Sequence, residues 1–245
     1  MDLADCVGSA DAPLVVDVRS TDELHAIDRL IPGAIHRLPE DVAAWWRELP
    51  SGCGIVVCDS SGGESSLRVA ETLQQYGTDA GYLVDGFVGW YERGFPTRRV
   101  VNANVDKWVT REHPKIDRIA CPWMVRRFIN PLAEFLYVSP NEVAAHAEAT
   151  GATPYDVKDA RFGHVGDRCS FDAIIRTFEL NDPALDRLAL IVRGADTSRP
   201  DLAAQCEGLM AISHGLSANF PDDHTMLTHG MVLYDALYTW CRNQA

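Results

Sequence analysis

The sequence predicts an α/β unit built on a parallel sheet, followed by a mainly α (α+β) unit. Three short apolar runs in the first hundred residues each lead into an aspartate, and helical segments alternate with them. Such alternation is typical of a parallel sheet covered by helices. After residue 108 the apolar residues recur mostly at helical spacing instead. The predicted division is a first domain over 1–98, a linker over 99–107 and a second domain over 108–245.

The first domain reads as strands and helices in turn. Each predicted strand is an apolar run that ends at a charged residue, as expected of a buried parallel strand. The strands are predicted at 14–19, 54–59 and 81–86, and the helices at 21–30, 38–49 and 65–76. Ligands of parallel α/β sheets bind beyond the carboxyl ends of the strands, so a site is expected at that edge.

In the second domain two short strands are followed by a series of helices. Strands are predicted at 108–110 and 135–138, an extended segment at 151–157, and helices at 140–150, 171–178, 183–192, 202–216 and 222–240. A further helix is expected to begin at Cys121–Pro122, because a proline is tolerated only in the first turn of a helix. A helix start favours a thiolate, so Cys121 is a candidate reactive thiol.

The charge and composition of the chain argue against nucleic-acid-binding, membrane-spanning and disulfide-bonded proteins. The chain has 245 residues and a net charge of −13, and both halves are acidic, with 8 basic against 16 acidic residues before residue 101 and 14 against 19 after it. Nucleic acid is therefore not an expected partner. Because no apolar run approaches the ~20 residues of a membrane span and no signal peptide is evident, we expect a cytoplasmic protein without a membrane partner. The seven scattered cysteines indicate reduced thiols.

Four sequence blocks of the first domain are distinctive: Asp17-Val18-Arg19 with Glu23, Ile31-Pro32-Gly33-Ala34, residues 85–90 (DGFVGW) and Gly94-Phe95-Pro96. Together they resemble the rhodanese (sulfurtransferase) family over nearly the whole domain. The resemblance implies a rhodanese-like fold. It also implies an active loop after the second strand, in which a cysteine heads a turn of backbone N–H groups that favours a thiolate and a bound anion.

In this chain the corresponding loop reads CDSSGGESS over residues 58–66, and two alignments with the family loop are open. One places the family's cysteine position at Ser60 and its arginine position at Ser65. The other keeps Cys58 as the cysteine and lengthens the loop by two residues. Glu64 opposes both a thiolate and an anionic sulfur donor, so we expect little or no sulfurtransferase activity and a docking surface for a protein partner.

Another set of blocks covers nearly all of the second domain. They are 108–111 (WVTR), 117–123 (DRIACPW), 162–164 (FGH), 169–172 (CSFD), 191–196 (IVRGAD), 222–224 (DDH) and 234–238 (YDALY). These blocks resemble the chromate-resistance family with its ChrB-type C-terminal domain. The resemblance implies a resistance or detoxification setting in which the substrate is a small oxyanion or a sulfur-containing small molecule.

The same blocks contain residue types that bind metals and anions. His164, Asp196 and His224 are the predicted ligands of a divalent metal, Zn or Fe, with Asp235 or Glu112 as additions. Guanidinium groups have the fork geometry for tetrahedral oxyanions, so Arg111, Arg118 and Arg193 form a predicted anion clamp. Structural ion pairs with Asp117, Asp172 or Asp196 are the alternative for each arginine.

The leading hypothesis is a metal-dependent, thiol-assisted reaction on such a substrate. Cys121, Cys169 and Asp117 are its predicted catalytic residues. A non-enzymatic sensor that binds chromate or a metal is the second hypothesis. An active persulfide sulfurtransferase that uses Cys58 is the third.

Overall fold

The computed structural model describes residues 2–244, and the chain divides into two compact units. The first unit comprises Met1–Val100 and Arg127–Pro131, and the second comprises Val101–Arg126 and Leu132–Ala245. In the described residues, no helix is both long and apolar enough to cross a membrane.

The first unit contains short strands and mostly short helices. Its strands are β1 (Leu14–Asp17), β2 (Arg29–Leu30), β3 (Ile35–His36), β4 (Ile55–Cys58), β5 (Ala80–Tyr82) and β6 (Arg98–Arg99). Its helices are α1 (Leu3–Cys6), α2 (Thr21–Ile27), α3 (Val42–Trp45), α4 (Glu64–Gln75) and α5 (Gly86–Glu92). The helix predicted over 38–49 is instead a four-residue helix between two 3-10 turns, Pro39–Asp41 and Trp46–Glu48.

A four-stranded parallel sheet in the order β3-β1-β4-β5 forms the centre of this unit. In its register Val16 of β1 lies beside Ile35 on one side and Val57 on the other. The α/β architecture predicted from the alternating pattern is confirmed. The carboxyl ends of β1 and β4 lie side by side, with Asp17 paired to Cys58, so the loops after these strands share one edge of the sheet.

A buried ion pair lies at that edge and accounts for one of the sequence blocks. Arg19 Nη2 lies 2.7 Å from Asp17 Oδ2, and both side chains are at most 1% exposed. The guanidinium also lies 3.8 Å from the centroid of the Phe87 ring and donates to the Arg29 carbonyl. Buried charges are tolerated only when they are paired in this way.

The second unit combines a small sheet with longer helices. Its strands are β7 (Lys107–Arg111), β8 (Glu134–Val138) and β9 (Thr153–Pro154). Its helices are α6 (Asp117–Phe128), α7 (Val143–Thr150), α8 (Ser170–Phe178), α9 (Pro183–Asp196), α10 (Cys206–Asn219) and α11 (Asp223–Arg242). The mainly helical character predicted for this half is confirmed. Asp182 and Asp222 accept N–H groups at the first turns of α9 and α11, which begin close to the predicted helix starts at 183 and 222.

The strands of the second unit form a parallel sheet in the order β8-β7-β9. The sequence indicated these strands but not their pairing. Because all three strands run in the same direction, their carboxyl ends meet at one edge of the sheet. Arg111 ends β7, and Asp156 follows β9 by two residues at the same edge.

The start of α6 differs from the prediction. The helix begins at Asp117, and Pro122 lies inside it, so Cys121 is not at a helix start. A proline inside a helix leaves the carbonyl four residues earlier without its usual donor. Here that carbonyl, on Arg118, accepts hydrogen bonds from the hydroxyls of Tyr137 and Tyr155, both at 3.3 Å. The two tyrosines replace the missing backbone bond, so the proline is accommodated without ending the helix.

Candidate metal centre

Four side chains of the second unit converge at one point, and we call them the aspartate–histidine centre: Asp117, Asp156, His164 and Asp196. Asp117 is the first residue of α6 and Asp196 the last residue of α9. Asp156 follows β9, and His164 lies in the loop before α8.

The imidazole of His164 is the meeting point. Its Nε2 atom lies 3.4 Å from Asp117 Oδ2, 3.3 Å from Asp156 Oδ1 and 3.2 Å from Asp196 Oδ2. One N–H group cannot make three good hydrogen bonds at once. Within residues 2–244, Asp117, Asp156 and His164 form the one set of three metal-ligating residue types whose ligand atoms all lie within 4.8 Å of one another.

The carboxylate of Asp117 is 1% exposed and is held by the first turn of α8. Its Oδ2 accepts the N–H of Ser170 at 2.6 Å, and its Oδ1 accepts that of Phe171 at 3.3 Å. The free N–H groups and the dipole of a helix start stabilise such a negative charge.

Asp156 is held by cations as well as by a hydroxyl. Arg111 Nη2 donates to Oδ2 at 2.9 Å, Arg118 Nε lies 3.3 Å from the same oxygen, and Ser170 Oγ donates to Oδ1 at 3.2 Å. Burial and the neighbouring charge of Asp117 nevertheless raise the pKa of Asp156 above its ordinary value. The two guanidinium groups oppose that shift only in part.

The crowding of negative charge shifts the pKa values of the other two groups. Burial, followed by the charges of Asp117 and Asp156, raises the pKa of Asp196 to about 7. The hydrogen bond with Asp117 raises the pKa of His164 to about 9, with further contributions from the charges of the three acids. These shifts show that the centre favours additional positive charge.

A cleft of about 590 Å³ opens onto the centre. It is lined by Arg111, Pro140, Asp156, Val157, Lys158, Asp159 and His164. The side chains of Arg111 and His164 are 40% and 43% exposed, so both present polar groups to a small molecule in the cleft.

The predicted anion clamp is mostly occupied by ion pairs. Arg111 and Arg118 both bind Asp156, and Arg193 Nε donates to Asp172 Oδ2 at 2.9 Å. Asp117 is held by the backbone N–H groups of Ser170 and Phe171, whereas the ion pairs of these three arginines are with Asp156 and Asp172. Of the three arginines, Arg111 lines the cleft and is the most exposed, whereas the Arg118 and Arg193 side chains are each 18% exposed.

The two predicted catalytic thiols are buried beside the centre. Cys121 is 1% exposed and Cys169 is fully buried. Burial first, and then the charge of Asp117, raises the pKa of each thiol far above its ordinary range. The premise that a helix start activates Cys121 is wrong, because the helix begins four residues earlier and the thiol lies inside it.

His224 is not part of the aspartate–histidine centre. Its ring packs edge-on against Tyr137, with the ring centroids 5.6 Å apart. Asp235 accepts the indole N–H of Trp123 at 2.7 Å, and the Glu112 carbonyl accepts from Arg118. The structure therefore joins His164 and Asp196 as predicted, but the neighbours that complete the group are Asp117 and Asp156.

Sequence reasoning missed Asp156 altogether and predicted Asp117 as a catalytic residue or an ion-pair partner, but not as a metal ligand. The missing signal was strand order: once β7 and β9 are known to be parallel neighbours, Asp156 lies at the carboxyl edge, where ligands bind. The backbone of Asp156 is also left-handed, with φ of 48°. Because non-glycine residues rarely adopt this conformation, it marks Asp156 as a residue to examine for function.

In the first unit, the loop after β4 has at its centre a residue to which neither alignment assigns a role. Cys58 is fully buried in β4, where burial and then the charge of Asp17 raise the pKa of its thiol. Ser60 donates to Glu23 at 2.6 Å, and Ser65 lies in the first turn of α4. The side chain that lies over the backbone N–H groups of the loop is instead Asp59.

Comparison with protein families gives two matches along the chain. The model of the ChrB C-terminal domain matches residues 108–241, and the model of the rhodanese-like domain matches residues 3–93. Protein ChrB of Cupriavidus metallidurans is 34% identical over 134 residues, which cover 54% of this chain and 40% of that protein. The match thus spans well under half the length of that relative.

Two solved structures each match about two fifths of the chain. A rhodanese-related protein from Thermoplasma volcanium is 27% identical over 40% of this chain and 94% of its own, with a TM-score of 0.35. A protein from Lactobacillus plantarum is 28% identical over 40% of this chain and 81% of its own, with a TM-score of 0.36.

Proposed function

The chain belongs to the chromate-resistance family defined by the ChrB C-terminal domain, and we propose that its second unit uses a divalent metal ion to bind a small oxyanion. The metal ligands are Asp117, Asp156, His164 and Asp196. A rhodanese-like domain precedes this unit, and the proposal assigns it no part in the chemistry.

The observation that carries the proposal is the set of three distances from His164 Nε2 to carboxylate oxygens, all between 3.2 and 3.4 Å. Ligand atoms roughly 2.0 to 2.2 Å from a tetrahedral metal ion lie about 3.3 to 3.6 Å from one another. The ligand atoms of Asp117, Asp156 and His164 all lie within 4.8 Å of one another, which suits a shared ion, and Asp196 adds a fourth oxygen 3.2 Å from His164 Nε2. Three carboxylates also meet at this one imidazole, and Arg111 and Arg118 offset part of their negative charge through Asp156.

The ligand types indicate which metals suit the centre. Imidazole binds Zn²⁺ and Fe²⁺ well, and carboxylates bind these ions and harder ones. Soft thiolate ligands are not part of the centre, because the set of ligand atoms that lie within 4.8 Å of one another contains Asp117, Asp156 and His164 and no cysteine. We therefore propose Zn²⁺ or Fe²⁺ and assign no chemical step to Cys121 or Cys169.

Arg111 supports the oxyanion part of the proposal. It lines the cleft beside His164 and is half-exposed while it bonds Asp156 with one nitrogen. An anion in the cleft would lie between this guanidinium and the metal, and both attract a tetrahedral oxyanion. Lys158 adds a second positive charge to the lining.

The test is metal content in matched variants. Protein purified aerobically and anaerobically and then titrated with Zn²⁺ or Fe²⁺ should hold about one equivalent. His164→Ala should hold less than a tenth of that, whereas His224→Ala, which removes the predicted ligand outside the centre, should hold as much as the wild type. If neither preparation holds or takes up stoichiometric metal, there is no metal centre.

A matched pair of arginine variants tests the anion. Chromate and sulfate should raise the melting temperature of the metal-loaded wild type. The increase should be lost in Arg111→Ala and retained in Arg168→Ala, which removes an exposed arginine that does not line the cleft. An equal increase in both variants would exclude an anion site at Arg111.

A sensor that binds the same ion without turnover is a second candidate. The observation that favours it is that the four ligands come from separate elements, so that ion binding would bring together α6, α9 and two loops. Turnover of any oxyanion by the metal-loaded protein would favour an enzyme over a sensor.

A further inference from the structure

The loop that follows β4 in the first unit encloses a buried carboxylate. We call residues 59–66 the Asp59 loop. Asp59 is 7% exposed and accepts four backbone N–H groups: those of Ser61 at 3.0 Å, Gly62 at 2.6 Å, Gly63 at 3.1 Å and Ser66 at 3.0 Å. Burial alone would raise the pKa of this carboxyl, but the four N–H groups lower it overall. The loop therefore stabilises a negative charge at its centre.

The shape of the Asp59 loop is set by packing that does not involve the Asp59 side chain. Gly62 has φ of +72°, and a Cβ atom there would lie 2.7 Å from the Asp85 nitrogen and the Leu83 carbonyl oxygen. A Cβ on Gly86 would lie 2.5 Å from the Ser61 nitrogen. The backbone of the loop thus fits closely against the segment before α5, and glycine is required on both sides of the contact.

Backbone hydrogen bonds hold the same contact. Phe87 N–H donates to the Asp59 carbonyl at 2.8 Å, and Val88 N–H donates to the Ser60 carbonyl at 2.9 Å. The N–H groups of the loop therefore still converge when the Asp59 side chain is shortened. The twelve-residue helix α4 begins at Glu64, so that the N–H of Ser66 belongs to its first turn, and its dipole favours negative charge at the same point.

We propose that Asp59 is an internal anion that fills this ring of N–H groups and keeps it closed to small sulfur anions. The ring itself is intact, and the Asp59 carboxylate occupies it. Three acidic side chains further oppose an external anion, because Glu23, Glu40 and Glu64 line the cleft of about 300 Å³ above the loop. The inference concerns the first unit and is independent of the metal centre.

The first test replaces the carboxylate by a thiol. In Asp59→Cys/Cys53→Ser the new thiol should have a pKa below about 7.5, compared with about 8.5 for an ordinary cysteine, because the same N–H groups would stabilise the thiolate. The pH dependence of its alkylation rate gives the pKa. Cys53→Ser removes the one native thiol that is not buried, and Ser51→Cys/Cys53→Ser provides an exposed thiol as the matched control.

Combined with Glu64→Gln, which removes one of the acids that line the cleft, the same variant should accept sulfur. Its thiolate would attack the outer sulfur of thiosulfate, the S–S bond of thiosulfate would break, and sulfite would leave with the electron pair. The product is a cysteine persulfide, visible as a mass increase of one sulfur atom on residue 59. Wild type should show no persulfide and no protection by thiosulfate against unfolding.

Several outcomes would overturn the proposal. If the thiol introduced by Asp59→Cys has the same pKa as the thiol of the Ser51→Cys control, the ring does not survive without the carboxylate. Protection of the wild-type loop by thiosulfate would show that Asp59 does not close it. If the thiol variant does not fold, Asp59→Ala decides: sulfate must stabilise it by several degrees more than the wild type, and an equal effect on both proteins counts against an intact ring.

Discussion

Asp59 and Asp117 perform the same physical task in the two units, because each is a buried carboxylate that accepts N–H groups at the start of a helix. Asp59 accepts from residues two to seven positions ahead of it, whereas Asp117 accepts from residues 53 and 54 positions ahead. A helix start that is capped from a distance has no signature in the local sequence. Each of these two helix starts is therefore stabilised by a buried carboxylate, in one case from the adjoining loop and in the other from a segment more than 50 residues away.

The lowered pKa of Asp59 predicts a pH dependence of stability. A carboxyl whose pKa is lower in the folded than in the unfolded state, about 3.9, stabilises fully above that value, and the contribution is lost as pH falls through the folded pKa. The difference in unfolding free energy between wild type and Asp59→Asn should thus be larger at pH 6 than at pH 3. Urea unfolding at several pH values measures this difference. Asp79→Asn, at an exposed aspartate, is the reference for the effect of removing a surface carboxyl. A constant difference would contradict the lowered pKa.

At the element scale, α6 shows how a helix continues through a proline. Pro122 removes the donor to the Arg118 carbonyl, and Tyr137 from β8 and Tyr155 from the segment after β9 supply two hydroxyls instead. The helix thereby carries Asp117 at its first residue and Cys121 in its buried interior. The position of Pro122 in the sequence predicts a helix start there. It gives no sign that hydroxyl donors from two other elements allow the helix to begin earlier.

The tyrosine pair predicts a non-additive effect on stability. Either Tyr137→Phe or Tyr155→Phe leaves one hydroxyl on the Arg118 carbonyl, so each single variant should cost under ~1 kcal/mol. The double variant leaves the carbonyl without either hydroxyl and should cost ~1 to 3 kcal/mol more than the sum of the single variants. A double-mutant cycle by chemical denaturation measures the coupling. Additive effects would mean that the hydroxyls do not replace the missing backbone bond.

At the scale of the whole molecule, the proposed metal ligands tie distant parts of the second unit together. They extend over residues 117–196 and come from two helices and two loops. An ion bound to all four would stabilise the folded unit, because the unfolded chain does not hold the ligands in place. In the absence of an ion, repulsion among the carboxylates of Asp117, Asp156 and Asp196 destabilises the folded unit.

Removal of metal should therefore lower the stability of the wild type but not that of a variant that lacks a metal ligand. At a free metal concentration about 100 times the dissociation constant, the expected stabilisation is about 2.7 kcal/mol. The wild type should lose it in the presence of a strong chelator and regain it on addition of Zn²⁺ or Fe²⁺, as measured by thermal unfolding of the full chain. His164→Ala should respond to neither treatment, and an equal response of this variant would place the effect outside the centre.

The sequence by itself determined the parallel sheet of the first unit, the helical character of the second, the starts of the helices near residues 183 and 222 and both family resemblances. These features are local: they depend on the spacing of apolar residues, on polar residues at helix starts and on short contiguous blocks. They could be inferred because each is encoded within a few turns of chain.

Only the tertiary structure decided which polar residues meet. It replaced His224 by Asp117 and Asp156 around His164, placed Arg111 and Arg118 on Asp156, and put Asp59 rather than Cys58 or Ser60 over the loop N–H groups. In the second unit the physical reason is that strand order and helix packing bring together residues far apart in the chain. In the Asp59 loop it is the close fit of Gly62 against the Leu83–Gly86 segment, which neither stretch predicts alone.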